Sequence, residues 1–161
     1  MISLVDGQRA ILRMAERAIR EVWVVQLGGP PEDGALRMEG VEEPETFRGD
    51  FYTRSSIVLP DDEHMQKLAG IGLIDDSTAA RYRYIGNLHV QVFGKKSVAG
   101  SLFKAKDIAD AIKKKFVGRR DRETGIEFMA VRLKNESTEK QWYHVRTVAD
   151  FQFDEVLSVA G

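Results

Sequence analysis

The run Tyr82-Arg83-Tyr84-Ile85-Gly86-Asn87-Leu88-His89-Val90-Gln91-Val92-Phe93, continued through Gly94-Lys95-Lys96 to Gly118, reads as a strand, a tight turn and a helix. Tyr82, Tyr84, Leu88, Val90 and Val92 alternate with Arg81, Arg83, Asn87, His89 and Gln91, so one face of the strand is apolar and the other wet. After Gly94 the period changes from two to that of a helix. Leu102, Ala105, Ile108, Ala109, Ile112 and Phe116 fall on one stripe, with Lys104, Lys106, Asp107 and Lys113 around the rest of the circumference. Gly118 marks the C-terminal stop. A helix with that stripe is expected to lie on a sheet with that face.

Upstream, Ala10, Ile11, Met14, Ala15, Ala18, Ile19 and Val22 form the apolar face of a helix from about Leu4 or Gly7 to Val22, with Ser3 or Asp6 as cap. Trp23, Val24 and Val25 prolong it as a last turn or a short extended piece. Gly28-Gly29-Pro30-Pro31 ends the element. A polar connector follows, to about Asp50. Its Glu32, Asp33, Glu39, Glu42, Glu43, Glu45 and Asp50 outnumber Arg37 and Arg48, leaving five net negative charges. It reads as a solvated loop or as a docking surface for a basic partner. Phe51 to Leu59 reads as a strand weakened by Ser55 and Ser56, closed by Pro60. A second connector, from Glu63 to Thr78, carries Met65, Leu68, Ile71, Leu73 and Ile74, and that apolar content predicts packing against something, such as another chain.

Downstream, Arg119 to Gly125 is a charged turn, Ile126 to Leu133 a strand, Lys134 to Lys140 a polar turn and Trp142 to Phe153 a final strand. In that strand Tyr143, Val145, Thr147, Ala149, Phe151 and Phe153 face one way, and Trp142, His144, Arg146, Val148, Asp150 and Gln152 the other. It is about twice the mean strand length and so expected to project past its own sheet. The order helix, strand, strand, helix, strand, strand predicts an α+β fold. Its sheet is mixed or mainly antiparallel, of about four strands, with the helices packed on one face. One domain over residues 1–161 is expected, with long connectors at about 28–50 and 60–79.

Composition narrows the function. Lys+Arg 24 against Asp+Glu 25 leaves no global charge to mark a nucleic-acid or membrane binder. The absence of cysteine excludes disulfides, thiolate nucleophiles and thiolate metal sites. No apolar run is long enough to span a bilayer, and the N-terminus, which reaches a charged helix within a few residues, carries no signal-peptide core. Synthesis in the cytoplasm is expected. Gly94-Lys95-Lys96-Ser97 lacks the order of a phosphate loop, and Gly70-Ile71-Gly72 is a lone pair of glycines. His64, His89 and His144 are widely spaced; the last two, as strand residues, are read as surface positions rather than metal ligands. Asp61-Asp62 and Asp75-Asp76 sit at loop edges without the rest of a metal-dependent nuclease motif.

Charge is nevertheless sorted by region. Between Lys95 and Arg122 ten basic residues oppose three acidic ones, with Lys113, Lys114, Lys115, Arg119, Arg120 and Arg122 at the helix end and just beyond it. This reads as a solvated helix face, a nucleic-acid contact, or a subunit contact. In the last case the helix end of one copy meets the acidic connector of the next, with Glu42, Glu43 and Glu45 as its carboxylates. Leu68, Ile71 and Leu73 of the second connector are further candidates for a contact between chains.

The strand Arg83 to Phe93 resembles the central strand of tail terminator proteins from long-tailed bacteriophages. The resemblance continues through Ala109, Ile112 and Phe116 and ends in Trp142-Tyr143-His144-Val145-Arg146-Thr147-Val148, closed by Phe151-Gln152-Phe153-Asp154-Glu155. The N-terminal helix and the strand from Phe51 fit the same family, while both connectors are longer than its usual ones. The resemblance implies a structural virion protein of the tail and neck, assembled in the host bacterial cytoplasm. Such a protein forms a homo-oligomeric ring, a hexamer, that caps the tail tube, ends its polymerisation and offers a head-joining surface. Its partners would be itself, the tail tube protein and head or neck connector proteins, with a non-specific contact to DNA in the lumen and none to membrane. No catalysis and no cofactor are implied. A head-completion or connector protein of the neck and a nucleic-acid-binding accessory protein are the alternatives.

Overall fold

The fold is that of a computed structural model, which describes residues 2–41, 43, 46–59, 66–68, 79–135, 138 and 140–158, with side chains except at 66–68, 79–81, 135 and 156–158. Along the chain come α1 (Leu4–Leu27), β1 (Leu36–Met38), β2 (Phe51–Val58), β3 (Gln66–Leu68), β4 (Ala79–Lys95), α2 (Ser101–Phe116), β5 (Glu127–Asn135) and β6 (Trp142–Ser158). The sheet order is β1-β2-β4-β6-β5, with β3 also pairing β4. All pairings are antiparallel except β1 with β2.

The architecture is α+β, with six described strands rather than about four. The two extra strands lie inside segments read as connectors. Leu36–Met38 has no alternation of its own. It is a strand because the Ala35 carbonyl accepts the Thr53 N–H at 2.7 Å and the next residues pair with the β2 edge. Where β1 ends, the Glu39 carboxylate accepts the Ile57 N–H at 2.9 Å, so a side chain closes the rest of that edge. The second connector contributes Gln66–Leu68, paired with Arg83, Tyr82 and Arg81 of β4.

The apolar stripes land where their spacing puts them. Ala105, Ile108, Ala109, Ile112 and Phe116 of α2 are fully buried, with Ile11, Ala15, Ala18, Ile19 and Val22 of α1, against Leu88, Val90, Val92, Val145, Ala149, Phe151 and Phe153 of the sheet. The Thr147 hydroxyl on the same face donates to the Ala109 carbonyl at 2.9 Å, fixing α2 to β6. Gly94 permits the turn into α2: a Cβ there would lie 2.8 Å from the Ser101 carbonyl oxygen. The first helix runs further than its stripe, to Leu27. Trp23, Val24 and Val25 are therefore helical, and Gly28 terminates the helix in the left-handed conformation, φ 79°. Ser3 is its N-cap, its side chain accepting the Asp6 N–H.

β4 and β6 are both 17 residues long and pair along their whole length, from Ala79 with Ser158 to Lys95 with Trp142. β2 flanks only Asn87–Gly94 of β4, and β5 only Val145–Gln152 of β6. The remainder runs on as a ribbon past the other long strands, with β3 flanking Arg81–Arg83 of β4. The start of α1 covers its inner face, with Leu4 N–H donating to Glu155 Oε2 at 2.8 Å and Gly7 set against the Phe153 ring. Across the ribbon the Arg83 guanidinium and the Asp154 carboxylate pair at 3.0 Å, which holds the guanidinium pKa above its ordinary value.

Candidate functional site

Both helices cover one face of the sheet, so the other face is set by the alternate residues of each strand. Pairing partners project to the same side, and the register therefore arranges them in rows. Tyr52, Phe93 and His144 form one row, from β2, β4 and β6. Their rings stack in parallel, Tyr52 on Phe93 at 4.3 Å and Phe93 on His144 at 4.5 Å, with Trp142 and Phe47 set against Tyr52. The Arg37 guanidinium lies 3.8 Å above the Tyr52 ring. This row is buried, so His144 is not the surface residue its strand position implies. The strand alternates correctly; an aromatic layer covers this end of the second face.

The adjacent row takes one residue from each of five strands: Arg37, Arg54, Gln91, Arg146 and Lys134. Beyond it lie Ser56, His89, Val148 and Arg132. Arg37, Arg54, Arg132, Lys134 and Arg146 thus form a cationic band across the sheet. Glu43 approaches Arg54 at 2.9 Å and Arg37 at 3.7 Å, and Asp150 pairs with Arg132 at 3.0 Å. His89 Nδ1 lies 3.2 Å from Arg146. Burial, then the positive charge of Arg146, Lys134 and Arg132, hold the His89 pKa below its ordinary 6.5, with Asp150 opposing them. The sequence signal for this band is the alternation that puts Arg54, Arg132, Lys134 and Arg146 on non-core positions. Their convergence depends on a strand order that the alternation does not contain.

The helix-end cations are placed differently. Lys114 pairs with Asp110 at 3.0 Å within α2, and Lys115 with Glu21 of α1 at 2.7 Å, which keeps the Glu21 carboxyl below its usual range. Lys114 and Lys115 rim an apolar cleft of about 550 Å³ between the helices, lined by Val22, Val24, Val25 and Ala111. Val25 is 80% exposed. Lys113 is half-buried, Arg119 and Arg120 lie where the chain bridges Glu127, and Arg122 is exposed in the following turn. Of the acidic candidates, Glu43 is engaged by Arg37 and Arg54 of its own chain. Glu42, Glu45, Ile71 and Leu73 lie outside the described residues, as does the side chain of Leu68. Among the described residues no three His, Asp or Glu side chains are grouped to hold a metal ion, and no helix is long and apolar enough to cross a membrane.

No protein-family model and no curated protein matches the chain. Among solved structures, a chain of the virion of a native gene transfer agent particle is similar in fold, with a TM-score of 0.57 at 14% sequence identity. The likeness covers 96% of this chain and 100% of the other. At that identity it shows the fold.

Proposed function

We propose that this chain is a structural virion protein that caps a phage-type tail tube, ends tail polymerisation and presents the surface to which heads join. The observation that carries the reading is a likeness in fold spanning essentially the whole of both chains, the other being a virion component. The sequence pattern of Arg83 to Phe93, the α2 stripe and the strand from Trp142 supports the tail terminator role within that class. The protein acts as a homo-oligomeric ring, six-fold, meeting the tube protein on one side and neck connector proteins on the other, without catalysis or cofactor.

The apolar cleft between α1 and α2, rimmed by Glu21, Lys114 and Lys115, suits a contact between copies. Burial of Val24 and Val25 there supplies hydrophobic driving force, and the charged rim sets the register.

Electron microscopy of particles assembled without the protein tests the reading. Tails of uncontrolled length and unjoined heads are expected, both restored by adding the protein back. Tails of normal length with leaking heads assign the neck connector role instead. Normal particles overturn both. Native mass spectrometry, on the protein alone and with tail tubes, tests the ring: a monomer in both samples refutes it.

A further inference from the structure

The cationic band on the helix-free face has a shape and composition that specify a partner. Five strands spaced by about 4.8 Å set its cations along roughly 19 Å. In sequence they are dispersed over four strands, β1, β2, β5 and β6, and only the sheet order brings them into line. Around them lie Gln91, Ser56, Asn87 and His89, which offer hydrogen-bonding groups, with Val148 buried among them and Val58 half-exposed at the margin. Of the aromatic side chains at this end of the face, Tyr52, Phe93 and His144 are buried, while Phe47 and Trp142 are half-buried against Tyr52. A protein partner binds through desolvated apolar and aromatic anchors inside a polar rim, and this band has no such centre. A file of guanidinium and ammonium groups, with Arg132 and Lys134 exposed and Arg37, Arg54 and Arg146 half-buried, among neutral polar side chains suits a repeating anion. At one phosphate per 3.4 Å of each strand, the band matches about five or six phosphates.

We infer that the helix-free sheet face binds the phosphate backbone of nucleic acid without sequence preference, through Arg54, Arg132, Lys134 and Arg146. The ion pairs of Arg54 with Glu43 and Arg132 with Asp150 are partly exposed, so phosphate can displace each carboxylate at small cost. His89 is the internal reporter of the event. Phosphates against Arg146, Arg132 and Lys134 cancel the positive field on its ring and favour the imidazolium.

The experiment measures binding of the full chain to a fluorescent DNA duplex by anisotropy at several salt concentrations. Arg132→Gln with Lys134→Gln is the test variant. Arg9→Gln with Lys106→Gln, which removes two cations from the helical side, is the control. Wild type is expected to bind with an affinity that falls steeply with salt. The test variant should weaken binding and flatten the salt slope by about 0.9 per cation removed, and the control should match wild type. Adding Arg146→Gln should flatten it again, and a thermal melt confirms that each variant is folded. In parallel, the His89 ring titration by NMR should move up when the duplex is saturating. Absence of binding by wild type, equal loss in test and control, or a His89 midpoint unmoved by bound duplex overturns the inference. So does tighter binding of polyglutamate than of duplex at equal charge and salt, which would assign an acidic protein partner.

Discussion

At Gly7 the first helix comes into contact with the sheet. Alanine in a helix interior ordinarily gains about 1 kcal/mol over glycine. Here its methyl would clash with the edge of the Phe153 ring, whose centroid lies 5.3 Å from that of Tyr84 and 6.1 Å from that of Phe151. Gly7→Ala should therefore destabilise by about 1–3 kcal/mol, read as a lowered thermal midpoint. Gly29→Ala, with open space around the added carbon, should not. His89 supplies a pH dependence at the same scale. Its folded pKa lies below 6.5, so the unfolded chain binds the proton first. Its contribution is complete above about pH 6.5 and is lost as pH falls through that value toward the folded pKa. The charged groups facing it are Arg146, Lys134, Arg132 and Asp150. His89→Gln should show a shallower fall in thermal midpoint than wild type between about pH 7.5 and 5.5; identical slopes would show that the ring titrates unperturbed.

Among elements, those with a strong period were legible and those made by their neighbours were not. The stripe of α2 is complete in the sequence, and Ile112 is fully buried in the structure. Ile112→Asp leaves a carboxylate with no partner in that core and should abolish soluble folding, whereas Lys113→Asp should leave the melt nearly unchanged. Equal, mild effects would contradict the helix phase. β1 shows the opposite case. Leu36-Arg37-Met38 sits in an acidic, glycine- and proline-punctuated stretch, and three residues are too few for a period. Its strand exists because the β2 edge offers backbone groups that need partners. The cationic band was hidden for the same reason. Arg54 and Arg146 are each visible as wet-face residues, but only the order β1-β2-β4-β6-β5 makes them neighbours of a common row. The charged helix end was legible as composition. Its pairing of Lys115 with Glu21 was not, because it depends on how the two helices cross.

For the whole molecule, that pairing alters what a charge-reversal experiment reads. Lys113→Glu, Lys114→Glu and Lys115→Glu together should impair ring assembly if the helix end meets a neighbouring copy. They also remove the Lys114–Asp110 and Lys115–Glu21 contacts within the chain, each worth about 0.2–1 kcal/mol. The melt of the triple variant should fall by no more than a few degrees. An assembly defect, measured by native mass spectrometry with tail tubes, that exceeds this loss assigns the lysines to the contact between copies. Intact assembly shows that the helix end stays solvated. The pairing of β4 with β6 acts on a different timescale, that of synthesis. The two strands lie side by side at the centre of the sheet, yet α2 and all of β5 are translated between them. A nascent chain that has already left the ribosome as far as α2 therefore displays one long edge of β4 bare, and it waits for β6 before that edge is closed. A stop codon anywhere within β6 would thus yield a sticky chain with an open strand rather than a shortened domain, because a strand translated well after β4 is the one that lets it settle.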